Sequence, residues 1–85
     1  MESLKGLRVA ILVADGFEQI EMVKPREALD SAGADTNLVS PNKEWVRGWN
    51  FKEWGDQFAV DVALEEASSK HFDALLLTFR PSIAR

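Results

Sequence analysis

The sequence predicts an α/β chain built around a parallel sheet, and three observations carry that prediction. Val9-Ala10-Ile11-Leu12-Val13-Ala14 is apolar without alternation and rich in β-branched residues, the pattern of a strand covered on both faces. Ala74-Leu75-Leu76-Leu77 near the other end has the same uniformly apolar character. Between them the order helix, strand, excursion and short helical piece completes a βαβ plan, for which right-handed crossovers are expected.

The first strand stops at Asp15-Gly16, a turn pair. Asp15-x-x-Glu18 offers an N-cap with a carboxylate three residues on, so a helix is expected from there, with Asp15 as its cap. Gly33 is the residue that would close it. Pro25 either kinks this helix or opens its main part near the first position, and Ala28, Leu29 and Ala32 supply its buried stripe. "ADTNLVSP" follows as a weaker strand with apolar Leu38-Val39 among polar neighbours, nearer a sheet edge. "NKEWVRGWNFKEWGDQFAVDVAL" has Gly48 and Gly55 as breakers and alternates around Phe58 to Val62, which reads as a β-ribbon excursion. A short helical piece fits Ala63 to Ser69, and the last strand runs from Ala74 to Leu77. The two apolar strands are expected as neighbours, with the polar one outside the first. That is the flavodoxin-like order, with strand one in the middle. The last strand then needs a further neighbour and a cover, yet only eight residues follow it.

The 85 residues form one domain or part of one, and a chain of this length buries only about 60–65% of its unfolded surface. The composition is 46% hydrophobic and 28% charged, without repeats or low-complexity tracts. No apolar run is long enough for a membrane span, and Asp15 and Glu18 stand where a signal peptide would carry its cleavage site; a cytoplasmic location is expected. The chain has no cysteine and one histidine, His71, which removes disulfides, a thiolate nucleophile and the usual zinc sites. A net charge of −4 argues against nucleic-acid binding.

The first βα turn is where such sheets bind ligands, but "ADGFEQIE" has no glycine-rich phosphate loop, and no cofactor is expected. Glu21 is the informative carboxylate. At about 100° per residue it points within roughly 40° of Phe17, with Ala28 and Ala32 flanking the same side. On the apolar stripe it would lie at the floor of a site, where burial raises a carboxyl pKa and suits it to sharing a proton. If Pro25 shifts the helical phase, Glu21 is instead an exposed acid at the positive end of the helix dipole. Spacing alone leaves both open. Trp45, Trp49 and Trp54 are expected to anchor a packed or subunit-contacting ribbon. His71 reads as structural or solvated, and Asp61, Glu65 and Glu66 as a solvated face.

"RVAILVADGFEQIEMVKPREALDSAGADTNLVSP", "VRGWNFKEWGDQFAVDVALEEA" and "FDALLL" together resemble the DJ-1/PfpI family, in particular its PfpI (ThiJ/PfpI) intracellular protease branch. The resemblance runs through Leu77. It implies a flavodoxin-like sandwich related to class I glutamine amidotransferases, homo-oligomers, and a cysteine-dependent peptidase, glyoxalase or deglycase chemistry. It also implies a glutamate from the first helix that touches the cysteine. By the pattern E-x-x-E-x-x-x-P this is Glu21, with Glu18 the competing carboxylate.

The family pattern breaks at the end. Thr78-Phe79-Arg80 stands where the resemblance implies proline and a glycine pair, and no cysteine elbow follows. The expectation is therefore an N-terminal DJ-1/PfpI part over 1–77, cut after the third core strand, and a tail over 78–85 outside the family pattern that reads as out-of-frame translation. Such a chain lacks the nucleophile. Its alternative role is a non-catalytic module that pairs through an exposed sheet edge. Burying a leucine fully is worth about 1.5–3 kcal/mol, so leaving Leu75, Leu76 and Leu77 uncovered forfeits roughly 5–9 kcal/mol, against about 5–15 kcal/mol for a whole domain.

Overall fold

The computed structural model describes residues 3–78. Four strands form a parallel sheet: β1 (Arg8–Leu12), β3 (Asp35–Ser40), β6 (Val62–Ala63) and β7 (Ala74–Leu77), in the order β6-β3-β1-β7. The registers pair Ile11 with Leu38 on one side and with Leu76 on the other. β1 is thus flanked by the polar strand and the leucine strand, as the apolar pattern requires, and β7 ends the sheet among the described residues.

α1 (Gln19–Ser31) crosses from β1 to β3 and runs unbroken through Pro25. It closes at Ala32, and Gly33 follows at φ +99°, a conformation that costs glycine least. The buried residue of the helix is Met22, while Leu29 and Ala32 are half-buried and Ala28 is exposed. Of the stripe read from the sequence Leu29 packs against the core, as does Val23 beside Met22, while Ala28 faces outward. Phe17 lies outside the helix in a two-residue strand, β2 (Phe17–Glu18), so the phase relation between Phe17 and Glu21 does not hold.

The excursion is a ribbon of β4 (Trp45–Asn50) and β5 (Glu53–Ala59), antiparallel to each other, with β2 parallel to β4 on its outer side. Gly48 and Gly55, read as breakers, lie inside the strands. Both leave room for Gln19: a Cβ at Gly48 would meet Gln19 Cβ at 3.0 Å, and one at Gly55 would fall on Gln19 Oε1. The helical piece expected over Ala63 to Ser69 is two single 3-10 turns, Leu64–Glu66 and Ser69–His71.

The core sits on one face of the sheet. Val9, Ile11, Val13, Leu38, Phe17, Met22, Ala34 and Val46 are buried together there, with Phe58 5.8 Å from Phe17 between ring centres. Leu76 packs against this cluster. Side chains alternate across a strand, so Ala10, Leu12, Val39, Leu75 and Leu77 belong to the other face. There Leu75 is 63% and Leu77 55% exposed. Two leucines rather than three are therefore left open.

A polar cluster joins α1 to β3. Arg26 Nε donates to Thr36 Oγ1 (3.1 Å), whose hydroxyl donates to Asp30 Oδ1 (2.7 Å). Asp61 Oδ2 accepts from the Leu38 amide (2.7 Å) and from Arg26 (3.4 Å). Asp61 is thus exposed, as expected, but also a structural acceptor for the flank of β3 that the two-residue β6 is too short to satisfy. Glu65 pairs with Lys43 at 3.3 Å, and Glu66 and His71 are exposed.

Candidate functional site at the carboxyl end of the sheet

The loop after β1 is held by the ribbon rather than by the helix. The Arg47 amide donates to Asp15 Oδ1 (2.9 Å), and the Gly16 amide donates to the Arg47 carbonyl (2.9 Å). Asp15, expected to cap α1, ties the loop to β4. The N-cap position belongs to Glu18, whose side chain makes no capping bond. Gly16 adopts φ +89°, which lets the chain turn sharply into β2.

The start of α1 is anchored by Gln19. Its Oε1 accepts from the Asp56 amide (2.8 Å) and its Nε2 donates to Asp56 Oδ2 (3.0 Å). One side chain so joins helix, β5 and the close approach that Gly48 and Gly55 allow. No motif flags Gln19; the signal that could have found it is the pair of glycines inside strand-like sequence, which marks a close approach.

Glu21 lies in the first turn of this anchored helix and is exposed, while Glu18 is half-buried. The exposed alternative of the sequence reading is the one observed. Pro25 has no N–H to return to the Glu21 carbonyl four residues earlier. Across the sheet end, Thr78 is buried, and both its amide and its hydroxyl donate to the Leu12 carbonyl at 3.3 Å. Its oxygen is thereby engaged in strand closure. A carboxylate such as Glu21 can accept a hydrogen bond from, or exchange a proton with, a reactive group brought up to it. Among the described residues no cluster of His, Asp or Glu could hold a metal ion, and no helix is long and apolar enough to cross a membrane.

Hollows open on the sheet face and on the ribbon. On the open face a groove of about 440 Å³ is lined by Leu12, Val39, Leu64, Phe72, Ala74 and Leu75, among others. On the ribbon a hollow of about 270 Å³ is lined by Asp15, Trp45, Val46, Arg47, Trp54 and Gln57. Trp45 and Trp54 are each about half exposed there. Arg47 lies 5.8 Å from the Trp54 ring centre, and Trp54 meets Trp49 edge-to-face at 5.3 Å. The ribbon packs through Val46 and Phe58 and turns these two tryptophans outward.

An exposed ion pair lies at the start of β7. Arg8 Nε and Nη2 donate to the two Asp73 carboxylate oxygens at 3.2 Å each, and the Arg8 amide donates to Oδ2 at 2.8 Å. These hydrogen bonds from Arg8 keep the Asp73 carboxyl below its ordinary pKa, and the same bond raises that of Arg8.

Comparison with known proteins agrees with this architecture. The chain is 39% identical over 72 residues to an uncharacterized protein of Staphylococcus epidermidis, covering 82% of this chain and 39% of the relative. An uncharacterized protein of Staphylococcus aureus matches over 72 residues at the same identity and coverage, and another from that species is 37% identical over 70 residues. The chain thus spans about 39% of the length of the curated relatives it matches. The crystal structure of a DJ-1 superfamily protein from Agrobacterium tumefaciens superimposes with a TM-score of 0.72 at 22% identity, over 85% of this chain and 37% of that one. The fold is therefore the flavodoxin-like one. The model of the DJ-1/PfpI family matches residues 7–78, most of the sequence, and the chain belongs to that family.

Proposed function

We propose that these residues are the carboxylate-bearing part of a DJ-1/PfpI site and carry out no cysteine-dependent turnover by themselves. The observation that supports this most is the combination of an exposed Glu21 at the start of an anchored α1 with a sequence that contains no cysteine. In this reading Glu21 is the acid that would hydrogen-bond a reactive sulfur supplied by family sequence outside these 85 residues. Glu18, half-buried at the N-cap, is its structural neighbour and not the partner of that sulfur.

The proposed division keeps residues 1–77 as family sequence and 78–85 as a tail; the matched span ends at residue 78, and Phe79 to Arg85 lie outside the described residues. A sulfur-dependent peptidase, glyoxalase or deglycase would be the activity of the longer protein. The test is turnover by the purified 85-residue chain of a small α-oxoaldehyde and of a peptide, beside Glu21→Gln. The expected rates equal those of buffer for both proteins. Turnover above buffer that Glu21→Gln abolishes would overturn the proposal, because a carboxylate would then be acting without any thiol.

A further inference from the structure

We infer that the hollow on the ribbon is a binding site for a small planar monocarboxylate, held by Arg47 between the indoles of Trp45 and Trp54. Every residue that lines the hollow belongs to β4, β5 or the loop after β1. Along β4 the Val46 side chain is fully buried, so by alternation Trp45 and Arg47 turn outward. In the ribbon register the Arg47–Gln57 pair sits between Trp45–Ala59 and Trp49–Trp54. The two half-exposed indoles therefore wall the hollow at opposite ends, with the guanidinium between them.

That cation is prepared for a flat anion. Arg47 Nε donates to the Gly55 carbonyl at 3.1 Å, and Cζ lies 5.8 Å from the Trp54 ring centre. The guanidinium is thus fixed through Nε, while its two Nη nitrogens have no acceptor among the described residues. Two parallel N–H groups on a fixed fork match the two oxygens of a carboxylate. A planar apolar body behind that carboxylate would lie against the indoles. A cationic ligand would instead meet the like charge of Arg47.

Asp15 sets the charge limit. Its Oδ1 accepts from the Arg47 amide at 2.9 Å, yet the two side chains form no ion pair although both line the hollow. The carboxylate leaves the guanidinium free and repels a second negative charge on the ligand. The net charge of −4 acts in the same sense. A monoanion is therefore admitted, and a dicarboxylate or a phosphate monoester is rejected.

The test follows the indole N–H signals of the isotope-labelled chain during titration with benzoate. Trp45 and Trp54 are expected to shift saturably. Trp49, which does not line the hollow and whose Nε1 donates to the Phe51 carbonyl, should move least. Benzamide has the same shape without the charge and is expected to bind about tenfold more weakly or worse. Phthalate and phenyl phosphate should also bind weakly, and Asp15→Asn, which keeps the oxygen that accepts from the Arg47 amide, should admit phthalate. Arg47→Gln, at an exposed side chain, is expected to abolish benzoate saturation while far-UV circular dichroism is retained. Arg47→Lys keeps the charge without the fork and should weaken binding. The comparison of benzoate with benzamide uses the unmodified chain and so does not depend on any variant folding. Absence of saturable shifts, equal affinity for benzoate and benzamide, or benzoate binding unchanged in Arg47→Gln would overturn the inference.

Discussion

The two faces of the parallel sheet are written in the same residues and meet opposite fates. Val9, Ile11, Val13 and Leu38 are buried under α1 and the ribbon. One position along, Leu12 is half-buried and Leu75 and Leu77 are more than half exposed. A parallel sheet is normally covered on both sides; among the described residues the second face is covered only in part, with Ala10 and Val39 buried and Leu75 and Leu77 left open. The difference teaches that hydrophobicity along a strand records what the strand is built to touch, whether or not the partner is present.

The comparison is broken most sharply by cutting the core on each side. Met22→Ala removes a fully buried side chain beneath the covered face and is expected to cost about 2–5 kcal/mol in urea unfolding. Leu75→Ala on the open face should stay within about 0.5 kcal/mol of the parent. Equal costs would mean that the open face is covered after all.

Next in size is the junction that holds the covered side together. Gly55→Ala drives a methyl onto Gln19 Oε1 and displaces both of its bonds to Asp56. Thermal unfolding should report a loss of about 1–3 kcal/mol. In a Gln19→Ala background the same substitution should cost much less, since the clash and the bonds are already gone.

How much of this was legible follows the same division. The strand at 74–77, the ribbon and the central place of β1 are visible because uniform apolar runs and alternation report directly on burial. The end of α1 was legible from Gly33. Its beginning was not: Asp15 and Glu18 have capping chemistry, but the Arg47 amide claims Asp15 first, and a tertiary bond of that kind leaves no local trace. The Arg26–Thr36–Asp30 cluster and the role of Asp61 were hidden for the same reason, since each joins residues from separate elements. Of the proposed site, Glu21 as the candidate carboxylate and the absence of a cysteine are both readable from the sequence. The exposure of Glu21 could not, because it depends on a helix start two residues past Phe17.

The smallest expected effect concerns the clamp at the start of β7. The folded-state pKa of Asp73 is depressed by Arg8, so its contribution to stability is fully present above the ordinary carboxylate pKa, about 3.9, and is lost as pH falls through the lower folded value. Both side chains are largely solvated, and the effect should fade with salt. Asp73→Asn should lower the melting temperature slightly at neutral pH and flatten its acid limb below pH of about 4, so that parent and variant converge in acid. A parent and variant with parallel acid limbs would show that the clamp does not bias the fold.

The contrast between the faces is tested most directly by an apolar fluorescent dye, added to the folded chain and to the Leu75→Lys, Leu77→Lys variant. The account predicts that the folded parent binds the dye before any unfolding, and that the lysine pair removes most of the signal while cooperative melting persists. A folded parent that leaves the dye dark, or a signal unchanged by the two lysines, would contradict it.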